Sequence, residues 1–482
     1  ERYQDPDLKK VWTDTRKFSE WLRVETTVLE AREKLGQIPA GTAARVRERT
    51  FVDEGVASLI KRRDKVTKHD LVAFKQVMDL QLILYQKGRD FRDTMKRWDL
   101  HSESGTSDSK EREKCFQEAL TTALRTPCPE ADLFHDGLTS YDVEEPAMAL
   151  LLREACVVVL ARLSRLDEVL TARAVQHRGL IMIGRTHGQY AQPITFGVKL
   201  LNWLEAVRLA RGRLIAALDE IRAMKLSGAV GMFGTLGPDV EDVVAEILGL
   251  ESVISTQIIG LGRRAQLVNT LAEVATEVGK IAHDLWLMAQ SDVGEIREPF
   301  DKNQTGSRAM PHKKHPITFE QLYVLPRLVR GAAQAMLENV DTHHERDISQ
   351  SSVERNAVPD AFHATAHVVR RLADVLEGMD VFPERMKRNL DRAGGTYASQ
   401  AVERFLKERS MPAETAYRLV QEACFLAVTK ETHLIEALRG TSEVKDLMDA
   451  HMHDFQDLFE PRHWVRHEDA IYHRFNLRWQ KK

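Results

Sequence analysis

Residues 304–316, QTGSRAMPHKKHP, gather the widest chemical range in the chain: a Gly-Ser turn, a Met-Pro step, then His-Lys-Lys-His before a helical pattern. A movable loop of this kind can bring the Ser307 hydroxyl and the Lys313 ammonium to an anionic substrate, and Lys313 stands near a helix start, where anions are favoured. A basic turn between helices is the plainer alternative. In GRTHGQYAQP (184–193), His187 sits in a glycine-flanked turn ahead of a helix and can donate a proton near neutral pH. In FHDGLTSYDV (134–143), Thr139 and Ser140 precede a helix and Asp142 adds first-turn negative charge. Those hydroxyls either cap the helix or, with its free N–H groups, hold a carboxylate. VTKHD (66–70) places His69 beside Asp70, as an oriented imidazole would require. In ERDISQSSVERN (345–356), a helical reading puts Ser351 and Arg355 on one face with Arg346 upstream. Two guanidiniums and a hydroxyl can hold a phosphate. The alternative is a solvated face paired with Glu345 and Glu354.

Metal and dinucleotide chemistry have weak signals. His343, His344 and Glu345 are adjacent, His451 and His453 are two apart, and no H-E-x-x-H occurs. GLGRR (260–264) follows no convincing βα unit. No metal and no organic cofactor is expected.

The elements that must position these residues are helices. Apolar residues recur at three- and four-residue steps over Val143–Leu170, Phe196–Ile221 and Leu267–Met288. Each is long enough for about 30 Å of helix. Ile317 to Val340 predicts a helix kinked at Pro326, and Val358 to Leu376 another. Strand signals are weak, with 179–183 and 253–259 as short strands or extended loops. Residues 101–111 predict a mobile surface loop, and 378–383 breaks the helical pattern. The fold class is therefore all-α: a helical N-terminal part (1–140), a central long-helix bundle (141–378) and a helical C-terminal part (379–482). Helices this long, with mixed apolar faces, predict packing between several copies of the chain.

Composition sets the outer limits. The 482 residues carry 69 Lys+Arg and 72 Asp+Glu, a net charge of −3, which excludes a generally basic nucleic-acid binder. With 43% hydrophobic and 29% charged residues, a folded soluble protein is expected. No apolar run approaches a membrane span and the first residues lack a signal-peptide core, so no membrane partner and a cytoplasmic location are expected. Cys115, Cys128, Cys156 and Cys424 are scattered, without a disulfide framework or thiolate zinc spacing.

Taken together and in this order, the motifs resemble the fumarase/aspartase superfamily of elimination enzymes. G-S-x-x-M-P-x-K is its signature loop. T-x-H-D (67–70), H-x-G-L-T-S-x-D-V (135–143), G-R-T-H-G (184–188), K-L-S-G-A-V-G (225–231), S-T-Q (255–257) and R-D-I-S-x-S-S-V-E-R (346–355) resemble its adenylosuccinate lyase branch. So do Arg2-Tyr3 and the closing LFEPRHWVRHEDA (458–470). The resemblance implies release of fumarate from adenylosuccinate, giving AMP, and from SAICAR, giving AICAR. It implies Ser307 as base, His187 as acid, Lys313 as stabiliser of the aci-carboxylate, His135 as support and Glu320 as orienter of a catalytic histidine. His69 and Asp70 would line the nucleotide side, Thr139, Ser140 and Gln257 would grip the succinyl part, and His315 would face the fumarate part. Arg2, Tyr3, Arg346, Ser351 and Arg355 would hold phosphate and ribose. It further implies a homotetramer in which the Thr139, His187 and Ser307 segments come from three subunits.

The sequence departs from that pattern on the succinyl side. Arg308 stands where a second serine is usual, His315 where an asparagine is, and IIGLG follows Gln257 in place of a polar stretch. The segment 78–133 is longer than the usual connection.

Overall fold

The structure, a computed structural model, describes residues 2–103, 109–301, 303–304 and 306–477. Among the described residues helix predominates, and the fold is all-α. The helices that carry the site are α1 (Asp14–Lys34), α2 (Asp70–Gln86), α3 (Ser140–Gln176), α4 (Phe196–Glu220), α5 (Gly262–Met288), α6 (Ile317–Val324), α7 (Pro326–Glu338) and α8 (Ser349–Gly378). The apolar periodicity of α3, α4 and α5 matches these spans. Their stripes, such as Leu163, Leu166 and Leu170, Leu200, Trp203 and Leu204, and Leu267, Leu271 and Val274, are almost wholly removed from solvent.

The chain forms two compact units. One comprises residues 1–161, 212–273 and 327–367; the other comprises 162–211, 274–326 and 368–482. In the first, α1 and α2 surround a core containing Phe18, Trp21, Val24, Phe74 and Phe134. Caps start these helices: the Thr13 hydroxyl accepts from Arg16 N at 3.1 Å, and the His69 imidazole accepts from Val72 N at 3.5 Å. The second unit has its own core, built from Tyr397, Phe405, Leu406, Leu434, Phe455 and neighbours.

Two runs expected as short strands or extended loops take one of those forms, and three other expectations are corrected. The extended run near 179–183 is the first strand of a hairpin, β1 (Ile181–Thr186) against β2 (Gln189–Thr195), antiparallel with an irregularity between Ile183 and Arg185. The run 253–259 is the extended loop of its two alternatives, and just before it β3 (Ala223–Met224) pairs in parallel with β4 (Glu251–Ser252). The kinked helix from Ile317 is two helices, because Pro326 cannot continue the hydrogen-bond ladder and instead opens α7. The helix expected at Val358 begins nine residues earlier, at Ser349. At 101–111, a helix reaches Glu103 and another starts at Ser109, while 104–108 lie outside the described residues.

Candidate active site

In the second unit, His187 and Gly188 form the two-residue turn of the β1–β2 hairpin, with φ of 53° and 74°. Two consecutive positive φ values suit the right-handed twist of a hairpin; Gly188 takes its value without strain, and His187 is held there by the strands. The imidazole is thereby exposed at a loop tip. The stem is anchored by Arg185, which donates to both oxygens of buried Glu295 at 2.8 and 3.2 Å, and Asn389 donates to the same carboxylate at 2.9 Å.

The signature segment in this unit is a tight loop. Ser307 N donates to Lys313 O at 3.2 Å and Lys313 N to Met310 O at 2.9 Å. Met310 N donates to Ser307 Oγ at 3.0 Å. A Cβ at Gly306 would collide with Lys313 O, which explains glycine before the serine. Ser307 and His315 are half-buried, Arg308 and Lys313 are exposed, and Thr305 lies outside the described residues. Helix α6 follows, its first N–H groups accepted by buried Glu298 at 3.0 Å from Thr318 and 3.3 Å from Phe319. Burial pushes the Glu298 carboxyl up despite those bonds. Glu320 is exposed on the first turn of α6.

The first unit assembles most of the residues expected on the nucleotide and succinyl sides. Asp70 receives Lys17 Nζ at 2.8 Å and Arg355 Nη2 at 3.2 Å. Burial alone would raise its pKa, but the two cations hold the carboxyl below its ordinary value. His69 is exposed as the cap of α2. Arg346 donates to Gln257 Oε1 at 3.2 Å and to the Tyr141 hydroxyl at 3.0 Å, its guanidinium 4.1 Å from the Tyr141 ring centroid. Arg346 precedes α8 instead of lying on it, so the helical spacing read for Arg346, Ser351 and Arg355 holds only for the last two. Ser351 lines a cavity of about 50 Å³ with Lys17, Tyr141, Glu144 and Arg355. Glu354, which the alternative reading paired within its own segment, accepts from Arg264 on α5.

Thr139 and Ser140 lie at the start of α3, where Thr139 N donates to Asp142 Oδ2 at 2.9 Å. His135, at φ 64°, meets buried Glu25 through Nδ1 at 2.6 Å. The carboxylate that orients a candidate histidine in this unit is thus Glu25, which no spacing in the sequence marks. Arg2 is exposed, its guanidinium 5.9 Å from the Tyr3 ring, and Tyr3 meets the His367 ring edge-on at 5.4 Å. Sequence reasoning also passed over Lys17, Glu144 and Tyr141. Tyr141 sits inside a motif quoted above; Lys17 and Glu144 look like ordinary helix charges until the fold places them beside Asp70 and Arg355.

A family model described as "Lyase" matches residues 98–331, and one described as "Adenylosuccinate lyase C-terminus" matches 395–475. The adenylosuccinate lyase of Aquifex aeolicus is 34% identical over 473 residues, covering 98% of each chain. That of Thermotoga maritima is 35% identical over 476 residues, covering 98% of this chain and 99% of its own. Among solved structures, a fumarate lyase from Mesorhizobium sp. BNC1 superposes with a TM-score of 0.80 at 25% identity over 97% of both chains. The 3-carboxy-cis,cis-muconate lactonizing enzyme from Pseudomonas putida shares the fold at a TM-score of 0.77 and 23% identity, covering 98% of this chain and 96% of that one. Matching over essentially the whole length, with the signature loop and the arginines of 346–355 in their motifs, this chain belongs to the adenylosuccinate lyase family of the fumarase/aspartase superfamily.

Proposed function

We propose that this chain eliminates fumarate from adenylosuccinate, leaving AMP, and from SAICAR, leaving AICAR, in purine nucleotide synthesis. Family membership over nearly the full chain makes it a carbon–nitrogen lyase. In the proposed reaction the Ser307 alkoxide takes a proton from the carbon beside a carboxylate. The electron pair passes through the aci-carboxylate, which Lys313 stabilises. The C–N bond then breaks, and His187 protonates the departing nitrogen. A carbon acid of this kind is very weak, so the carbanion needs concentrated positive charge.

The observation that carries the assignment of base is the Met310 N–H held 3.0 Å from Ser307 Oγ. It leaves the hydroxyl proton free to depart and stabilises the oxyanion that remains. Closure of the loop would exclude water and strengthen that effect. The assignments of His135 and Glu320 as supports, of Thr139, Ser140, Gln257 and His315 to the succinyl part, of His69 and Asp70 to the nucleotide, and of Arg2, Tyr3, Arg346, Ser351 and Arg355 to phosphate and ribose belong to the same proposal. So do the three-part division at 140 and 378 and the homotetramer. Exposed apolar side chains support association: Val157 on α3 and Leu209 and Ile215 on α4, both long helices, and Leu328 on α7.

The test is spectroscopic detection of fumarate from both purine substrates, with Ser307→Ala and His187→Asn as comparisons. Asparagine accepts the left-handed backbone of the hairpin turn, so it removes the imidazole without removing the turn. Each variant is expected to lose turnover by ~10²–10⁴-fold while binding AMP as before. Undiminished turnover in Ser307→Ala removes the proposed base. A second reading, elimination from another succinyl-amine, is favoured by Arg308, His315 and IIGLG on the succinyl side. Comparing nucleotide with non-nucleotide succinyl-amines decides between the two.

A further inference from the structure

We propose that Lys225, through its buried pair with Asp142, is a positioning residue that holds the succinyl-gripping residues at a set distance from the phosphate-gripping Arg346. This rests on the proposed reading of those residues.

Lys225 has no solvent-exposed surface, and neither has Asp142. The ammonium is 2.7 Å from Asp142 Oδ1, 2.6 Å from Gly228 O and 3.1 Å from Gln257 O. Those three acceptors use its three donors, so Lys225 has none left for a substrate and acts only through what it holds. Asp142 is equally committed: Oδ2 accepts from Thr139 N at 2.9 Å and Oδ1 from Gly228 N at 3.2 Å. The ion pair therefore ties the Thr139–Ser140 start of α3 to the backbone of Gln257.

The tie continues to the phosphate side. Gln257 Oε1 accepts from Arg346 at 3.2 Å, and Arg346 donates on to Tyr141, the neighbour of Asp142. The result is a closed circuit, Asp142–Lys225–Gln257–Arg346–Tyr141, that returns to its first residue through the chain. Thr256 adds a parallel strut, its hydroxyl donating to Glu345 O at 2.6 Å. Buried ion pairs contribute little net stability once desolvation is counted, so stability alone does not account for this one. A fixed span between two ends of a substrate does, because misplacement by about 1 Å costs on the order of 10²-fold in rate.

The deciding variant is Asp142→Asn combined with Lys225→Met, which removes both charges together. Lys225→Met alone leaves a buried unpaired carboxylate and is expected to fold poorly. For the double variant, four quantities are measured: the thermal melt, amide hydrogen exchange over 137–143 and 255–258, AMP affinity, and kcat with KM. The expected result is a folded protein that binds AMP within ~3-fold of wild type, exchanges faster in both segments, and loses ~10–100-fold in kcat per folded subunit. A merely structural role would lower the folded fraction and leave kcat per folded subunit alone. Wild-type kcat in the folded double variant, or unchanged exchange in both segments, overturns the proposal. If the wild-type protein releases no fumarate from adenylosuccinate, the functional reading fails separately, and exchange then decides whether Lys225 fixes the two segments.

Discussion

Among single residues, Glu144 shows most clearly how position changes chemistry. It stands among Asp70, Lys17, Arg355 and Arg346, and burial, with Asp70 adding to it, pushes its carboxyl up to about 7 despite the three cations. The folded protein thus holds a proton at Glu144 that the unfolded chain releases near its ordinary value of 4.5. Stability from this group is full below about 4.5 and is lost as pH rises through about 7. Glu144→Gln keeps the shape without the charge. It should stabilise the protein at pH 8 by on the order of 1–3 kcal/mol and have little effect at pH 5, as read from thermal melts at the two values. An equal effect at both would mean that Glu144 is not protonated in the folded state. Asp70, one residue from an exposed histidine, follows the opposite course, because Lys17 and Arg355 reach it directly. The sequence marked Asp70 and Arg355 separately; nothing in their spacing says they meet.

Among elements, the first unit joins three helices through one guanidinium. Arg264, at the start of α5, donates to both oxygens of Glu354 on α8, at 3.0 and 3.1 Å, and to Glu145 on α3. All three side chains are buried or nearly so. Burial pushes the Glu145 carboxyl up, and only partly do the neighbouring cations oppose it. Arg264→Met leaves two buried carboxylates without their cation and should cost about 3–5 kcal/mol in urea unfolding. Adding Glu145→Gln and Glu354→Gln should recover part of that loss; no loss in the single variant would show that water or another cation takes over. Helix periodicity was legible because a buried stripe repeats every three or four residues. The hairpin was not, because its strands are short and its turn uses histidine where asparagine is the familiar signal. Likewise Pro326 was legible as an interruption, but whether it bends a helix or begins a new one depends on what packs around it.

For the whole molecule, the question is how many chains make one site. Leu209 and Val157 on long helices, and Leu328 on α7, are each more than half exposed, which a solitary chain would leave in water. On the proposed reading, Ser307 and His187 of one site belong to different subunits. Mixing Ser307→Ala with His187→Asn protein under exchanging conditions should then give sites with both groups intact. Turnover at least ~10-fold above either variant alone is expected, with sedimentation reporting the tetramer. Two inactive variants that stay inactive after demonstrated subunit exchange would place both groups in the same subunit.

What the sequence by itself determined is what depends on local order: the helical class, the long apolar stripes, and the motifs that identify the family, because periodicity and adjacent residue types are local properties. The tertiary structure decided the rest. It opened the run around His187 into a hairpin, set Arg346 ahead of its helix, matched His135 with Glu25, and joined Asp142 to Lys225 and Gln257. Those outcomes rest on charges and carbonyls far apart in the chain. Only burial together makes their pairing obligatory, since a buried charge without a partner costs more than the fold can spare.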